Sequence, residues 1–160
     1  MLYLVRHAKA GSRSEWRGDD RLRPLSRSGT AQAAGIAALL TPLCANGRLV
    51  SSPYLRCVQT LEPLGAALDT VVEPDNRLAE DRSFEGVLDL LLELPDGSAL
   101  CSHGDVIPET IAALERRGCQ IVGAPDWRKG SIWVLTPSDD GEEIVTATAW
   151  PPPAPPSAEG

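Results

Sequence analysis

Leu2-Tyr3-Leu4-Val5 is an unbroken apolar run that stops at Arg6-His7. This is the pattern of a strand buried on both faces whose C-terminal end carries polar groups. A basic loop rich in Gly, Ser and Arg follows as far as Pro24. From Ser28 to about Thr41, apolar Ala33, Ile36, Ala37 and Leu40 recur at helical spacing, and Pro42 and Gly47 end the element. Arg48 to Ser51 reads as a second short strand. Pro53 suits the first turn of the next helix, which runs to about Leu68 and is predicted to kink at Pro63. Thr70 to Glu73 reads as a third strand, and Val87, Leu88, Leu91 and Leu92 form one face of a helix over Phe84 to Leu94. After the Pro95-Asp96-Gly97 turn, a strand from Ser98 to Ser102 leads, like the first, into a histidine. A helix spans Asp105 to Arg117, with Pro108 in its first turn and Gly118 at its end. Residues 131–136 and 143–149 read as strands around an Asp-Asp-Gly turn.

Strands alternating with helices predict an α/β three-layer sandwich, a mostly parallel central sheet flanked by helices, with the last two strands as a hairpin at one edge. The domain is expected to occupy residues 1–150. Residues 151–160, PPPAPPSAEG, are expected to form an extended, mobile tail.

Composition fits this picture. The chain has 160 residues, 42% hydrophobic and 23% charged, which is enough for one domain with a core of its own and excludes wholesale disorder. No apolar run approaches the roughly 18 residues of a membrane span, so the reading is cytoplasmic, without a membrane partner. A net charge of −7 argues against a nucleic-acid partner. That charge is unevenly spread: residues 1–60 hold nine Lys/Arg against three Asp/Glu, and residues 61–160 hold six against nineteen. A basic segment inside an acidic domain points to a local anion site. Cys44, Cys57, Cys101 and Cys119 contain no C-x-x-C pair and read as buried, reduced thiols, with no metal site.

Three patterns carry candidate chemistry. Leu4-Val5-Arg6-His7-Ala8-Lys9 closes the first strand. Ser51 to Thr60 (SSPYLRCVQT) joins a strand end to a helix start, and so does Ser102-His103-Gly104-Asp105. Ligands of open parallel sheets bind beyond the carboxyl ends of strands, at helix N-termini suited to anions. Both histidines of the chain would converge there with Arg6 and Arg56.

Through these motifs the chain resembles the histidine phosphatase superfamily, whose fold is phosphoglycerate mutase-like, over about residues 1–135. It is most similar to the short branch containing phosphohistidine phosphatases, which shares the Arg-His-Ala-Lys opening and an Arg-Pro-Leu-Ser segment, here Arg23 to Ser26. It is also similar to phosphatase domains fused behind Nudix hydrolase domains, with which Gly18-Asp19-Asp20 agrees. The resemblance implies that His7 is a nucleophile forming a phosphohistidine, its other ring nitrogen bonded to a backbone carbonyl near Gly11. It implies that Arg6 and Arg56 clamp the phosphoryl group and that His103, with Gly104 beside it, donates to it. Glu80 would protonate the leaving group, with Asp81 and Glu85 as competitors. Lys9 would add substrate binding, and Arg13, Arg21 and Arg23 could extend the anion site. No metal or cofactor is implied. Only 44 residues separate His7 from Ser52 and 42 separate Thr60 from His103, which leaves no room for covering insertions. An open pocket suits a phosphohistidine protein or a nucleotide-type phosphate, that is, a phosphorylated small molecule or phosphoprotein. The alternative function is a non-catalytic module that recognises a phosphorylated partner.

Overall fold

Alternation along β1 (Leu2–Arg6) sets the layering of the molecule. Leu2 and Leu4 enter one buried cluster, and Tyr3 and Val5 enter another on the opposite face. In the computed structural model, which describes residues 1–157, α1 (Arg27–Leu40) and α2 (Leu55–Leu68) cover the Tyr3 face through Ile36, Leu40, Leu61 and Leu64. The other face is covered by α3 (Phe84–Glu93) and α4 (Val106–Arg116) through Val87, Leu91, Ile107 and Ile111. The three-layer expectation holds.

The remaining strands are β2 (Leu49–Ser51), β3 (Val72–Pro74), β4 (Ala99–Ser102), β5 (Gln120–Val122), β6 (Ile132–Pro137) and β7 (Ile144–Trp150). They form one seven-stranded sheet in the order β3-β2-β4-β1-β6-β7-β5. Both antiparallel pairings involve β6, which alone among the described strands runs against the others. The predicted β6–β7 hairpin is present but is not at the edge, because β5 pairs in parallel with β7 outside it. Sequence pattern missed β5, a three-residue strand in which only Ile121 is partly buried. The α2 helix runs through Pro63 to Leu68.

Residues 151–157 form neither helix nor strand, yet a Cβ placed on Gly35 of α1 would fall 2.6 Å from the Ala154 carbonyl oxygen. The first part of the tail is therefore seated against α1 where only glycine leaves room, and residues 158–160 lie outside the described residues. No helix among the described residues is long and apolar enough to cross a membrane.

Topology brings the three motifs together. The chain passes from β1 outward to β2 and β3, then returns to insert β4 between β2 and β1. Arg6 pairs in register with Ser102, and Ser51 with Cys101, so the three motif-bearing strand ends lie level and side by side. This is the crevice that open α/β sheets use for ligands.

Candidate active site

His7 sits one residue beyond β1, where its backbone N–H donates to the Ser102 carbonyl at 3.1 Å. Its ring is buried, and Nδ1 lies 2.8 Å from the Ala8 carbonyl oxygen. A carbonyl only accepts, so Nδ1 carries the proton and Nε2 keeps its lone pair. The partner is thus Ala8, not a carbonyl near Gly11. The Gly11 carbonyl instead accepts from Arg23 Nη1 at 2.5 Å. Burial holds the His7 pKa down to about 3. The Ala8 contact acts against this, while His103, Arg56 and Arg6 reinforce it. The imidazole is therefore uncharged at neutral pH.

Arg6 donates from Nη1 to the Trp127 carbonyl at 2.5 Å. Its guanidinium lies so close over Gly104 that an added Cβ would come within 2.6 Å of Nη2. Glycine at 104 is a steric requirement of where Arg6 lies.

Arg56, on the first turn of α2, is fully buried. Nη1 donates to the Asp20 carbonyl at 2.9 Å and Nη2 to Asp20 Oδ2 at 3.1 Å, while the group sits 4.9 Å over the Tyr54 ring. Asp20 Oδ1 accepts from Arg23 Nε at 2.8 Å. Asp20 therefore fixes two arginines from the loop that precedes α1, a role the sequence motifs did not reveal. His103 is also buried: its Nε2 lies 2.8 Å from Ser52 Oγ and 3.5 Å from Cys57 Sγ, and its ring stands edge-on to His7 with centroids 5.5 Å apart. All four cysteines are free and buried.

Four buried side-chain nitrogens have no partner among the described residues, and three of them are Arg6 Nε, Arg56 Nε and His103 Nδ1. A buried polar group without a hydrogen bond costs about 1–3 kcal/mol. Three of these nitrogens belong to residues that surround one neutral histidine.

A cavity of about 330 Å³ opens over His7, walled by Arg6, Arg13, Arg23, Glu80, Asp105 and Lys129 among others. Arg56 and His103 are not among the lining residues. Glu80 lines the cavity and is engaged twice, by Arg13 Nη2 at 2.7 Å and by Arg56 Nη2 at 3.5 Å. Its competitors do not line it. Asp81 has a left-handed backbone with φ of 65° and donates its N–H to Asp105 Oδ2, and Glu85 is tied to the Ser83 cap of α3.

The structure does not bring Lys9 to the cavity wall. Its backbone joins the loop to α1, its N–H donating to Gln32 and its carbonyl accepting from Ser26, while its exposed side chain is not part of the cavity wall. A Cβ on Gly29 would collide with that carbonyl at 1.7 Å. The lysine at the cavity is Lys129, in the loop between β5 and β6. Burial, followed by Arg6, Arg23, Arg56 and Arg13, lowers its pKa. Of the other early arginines, Arg13 and Arg23 reach the cavity, whereas Arg21 lies over Tyr54.

Comparison with known proteins bears on the family and the fold. The model of the histidine phosphatase superfamily (branch 1) matches residues 2–86. An 8-oxo-(d)GTP phosphatase of Mycolicibacterium smegmatis is 37% identical over 156 residues; these are 94% of the chain but only 48% of that protein, so the chain spans about half the length of this relative. The protein histidine phosphatase SixA, solved with tungstate, superposes with a TM-score of 0.71 at 22% identity, covering 96% of each chain. A mycobacterial glucosyl-3-phosphoglycerate phosphatase solved with VO3 gives 0.66 at 20% identity, covering 96% of this chain and 98% of that one. The structural likenesses establish the fold, and the match of the family model over more than half the chain, including the Arg6-His7 and Arg56 motifs, makes this chain a member of the histidine phosphatase superfamily, branch 1.

Proposed function

We propose that the chain is a phosphatase that hydrolyses a phosphomonoester or phosphoramidate through a phosphohistidine on His7. Nε2 attacks phosphorus as the bond to the leaving group breaks, and the leaving group departs with its electron pair and takes up a proton. Water then attacks the phosphohistidine, releasing inorganic phosphate and returning the electron pair to Nε2. Arg6, Arg56 and His103 donate to the phosphoryl oxygens as charge spreads over them, so positioning and electrostatics supply most of the acceleration. Glu80 is the proton donor to the leaving group in this reading. Both its carboxylate oxygens are engaged by guanidiniums, so Arg13 must release it before it can deliver a proton.

The observation that carries the reading is the buried, neutral His7, whose Nε2 lone pair is fixed by the Ala8 contact, with Arg6, Arg56 and His103 around it. A module that only held phosphate would gain from a charged imidazole there, since a neutral one offers no attraction to an anion. This chemistry favours catalysis over simple recognition. The open cavity suits a phosphohistidine protein or a nucleotide-type phosphate.

The test is turnover of an aryl phosphate in the presence of a chelator. The wild-type chain should release phosphate at an unchanged rate when chelator is added, and His7→Ala should not. Equal phosphate release by the two chains would exclude His7 as nucleophile.

A further inference from the structure

Ser52 follows β2 and is fully buried, and its backbone N–H donates to the Cys101 carbonyl at 3.0 Å. Its hydroxyl meets two groups: the Tyr54 N–H donates to Oγ at 3.3 Å, and Oγ lies 2.8 Å from His103 Nε2. The same ring nitrogen lies 3.5 Å from Cys57 Sγ, whereas Nδ1 of this buried ring has no partner among the described residues.

An uncharged imidazole carries one proton, and the bonds of the Ser52 hydroxyl decide which nitrogen holds it. If Nε2 held it and donated to Oγ, the Ser52 O–H would have no acceptor among the described residues, and Nδ1 would keep a lone pair with no donor. Two buried groups would then stand unsatisfied, each at a cost. If Ser52 donates to Nε2 instead, Oγ still accepts from Tyr54, and the single group left over is an Nδ1–H. We infer that Ser52 is a positioning residue that locks His103 in the Nδ1–H tautomer, so that the ring offers a phosphoryl oxygen a proton and not a lone pair. The inference rests on the phosphatase reading above. With Nε2 taken by Ser52, Nδ1 is the nitrogen left to meet that oxygen, and in the other tautomer it would repel the charge it has to stabilise. The two rings, with centroids 5.5 Å apart, thus hold the same tautomer for opposite uses. Ala8 takes the His7 Nδ1 proton and leaves a lone pair for attack, while Ser52 fills the His103 Nε2 lone pair and leaves a proton to donate.

The chain contains two histidines, so long-range ¹H–¹⁵N NMR of the full ¹⁵N-labelled chain reads their tautomers directly, with His7→Ala to assign them. At pH 8, where a free imidazole is uncharged, His103 should show a protonated Nδ1 and an unprotonated Nε2. Ser52→Ala should replace this by signals averaged between the two tautomers. A protonated Nε2 in the wild-type chain would overturn the inference, whether alone or together with Nδ1 in an imidazolium paired with a Cys57 thiolate. An unchanged tautomer in Ser52→Ala would overturn it as well. A kinetic arm uses an aryl phosphate: Ser52→Ala should lower kcat about tenfold and leave KM within about twofold. In a His103→Ala background the same substitution should cost nothing further, because Ser52 acts through His103. Equal losses in the two backgrounds would make Ser52 a packing residue at the end of β2 and overturn the inference. If no phosphate is hydrolysed but Ser52→Ala releases the stated tautomer, the lock stands and it is the phosphatase reading that fails.

Discussion

The inner and outer walls of the site are built differently. The inner wall consists of His7, Arg56, His103 and Ser52, all buried and set at the ends of three adjacent strands or on the helix turn that follows one. The outer wall consists of Arg13 and Lys129, each more exposed and each carried on a loop. Strand register fixes the inner wall, since a slip of one residue would turn His7 or Ser52 to the wrong face. Little but side-chain contacts holds the outer wall, so it can vary without disturbing the sheet. The division suggests that chemistry resides in the sheet and selection in the loops.

Substitutions at the inner wall should have the larger effects. Gly104→Ala puts a Cβ where the Arg6 guanidinium lies and should lower kcat by about 10²–10³, the loss typical of one displaced oxyanion donor, with little change in unfolding midpoint. A kcat within a few-fold of wild type would mean that Arg6 is not held where catalysis needs it.

Glu80→Gln should lower turnover of an alkyl phosphate by about 10² and that of an aryl phosphate with a good leaving group only slightly. Equal losses on the two substrates would make Glu80 a partner of Arg13 and Arg56 and nothing more.

The buried neutral state of His7 also appears in stability. Below pH 6.5 the unfolded chain takes up a proton at His7, while the folded chain does not until about pH 3. The stability that follows is complete above 6.5 and drains as pH falls toward 3, at up to about 1.4 kcal/mol per unit. Between pH 7 and pH 5, urea denaturation should show a loss of about 2 kcal/mol in the wild-type chain that is absent in His7→Ala. Parallel pH profiles for the two chains would place the proton uptake elsewhere.

At the outer wall, Lys129→Met should raise KM only a few-fold, an effect that shrinks as salt is added, whereas Lys9→Met should leave KM unchanged. A larger effect at Lys9 than at Lys129 would reverse the assignment of the two lysines.

The same division decided what could be read from sequence. Arg6-His7, SSPYLRCVQT and Ser-His-Gly-Asp were legible because each combines an apolar run with an abrupt polar end, which is what a buried strand emptying into a crevice looks like. The layering was legible from the unbroken apolar run of β1, from the alternation of strands with helices and from helical spacing in α1 and α3. Lys129 and Trp127 were not, because they reach the site through the fold of residues 123–130, where no periodic pattern exists. The short strand β5 left almost no apolar signal, and its omission put the hairpin at the wrong place in the sheet. Asp20 shows the same limit: one carboxylate binding two arginines is a tertiary fact, and the basic loop around it suggested only charge. Composition marked the Pro-rich segment as extended but could not register that Gly35 leaves a seat for Ala154.

The central claim is the covalent step at His7, and trapping it is the most direct test. The wild-type chain is mixed with a ³²P-labelled aryl phosphate and quenched within the first turnover, and the labelled peptide is mapped. The account predicts an acid-labile label on the peptide containing His7, lost in His7→Ala and accompanied by a burst of the aryl alcohol. Steady release of phosphate with no label on His7 would contradict it.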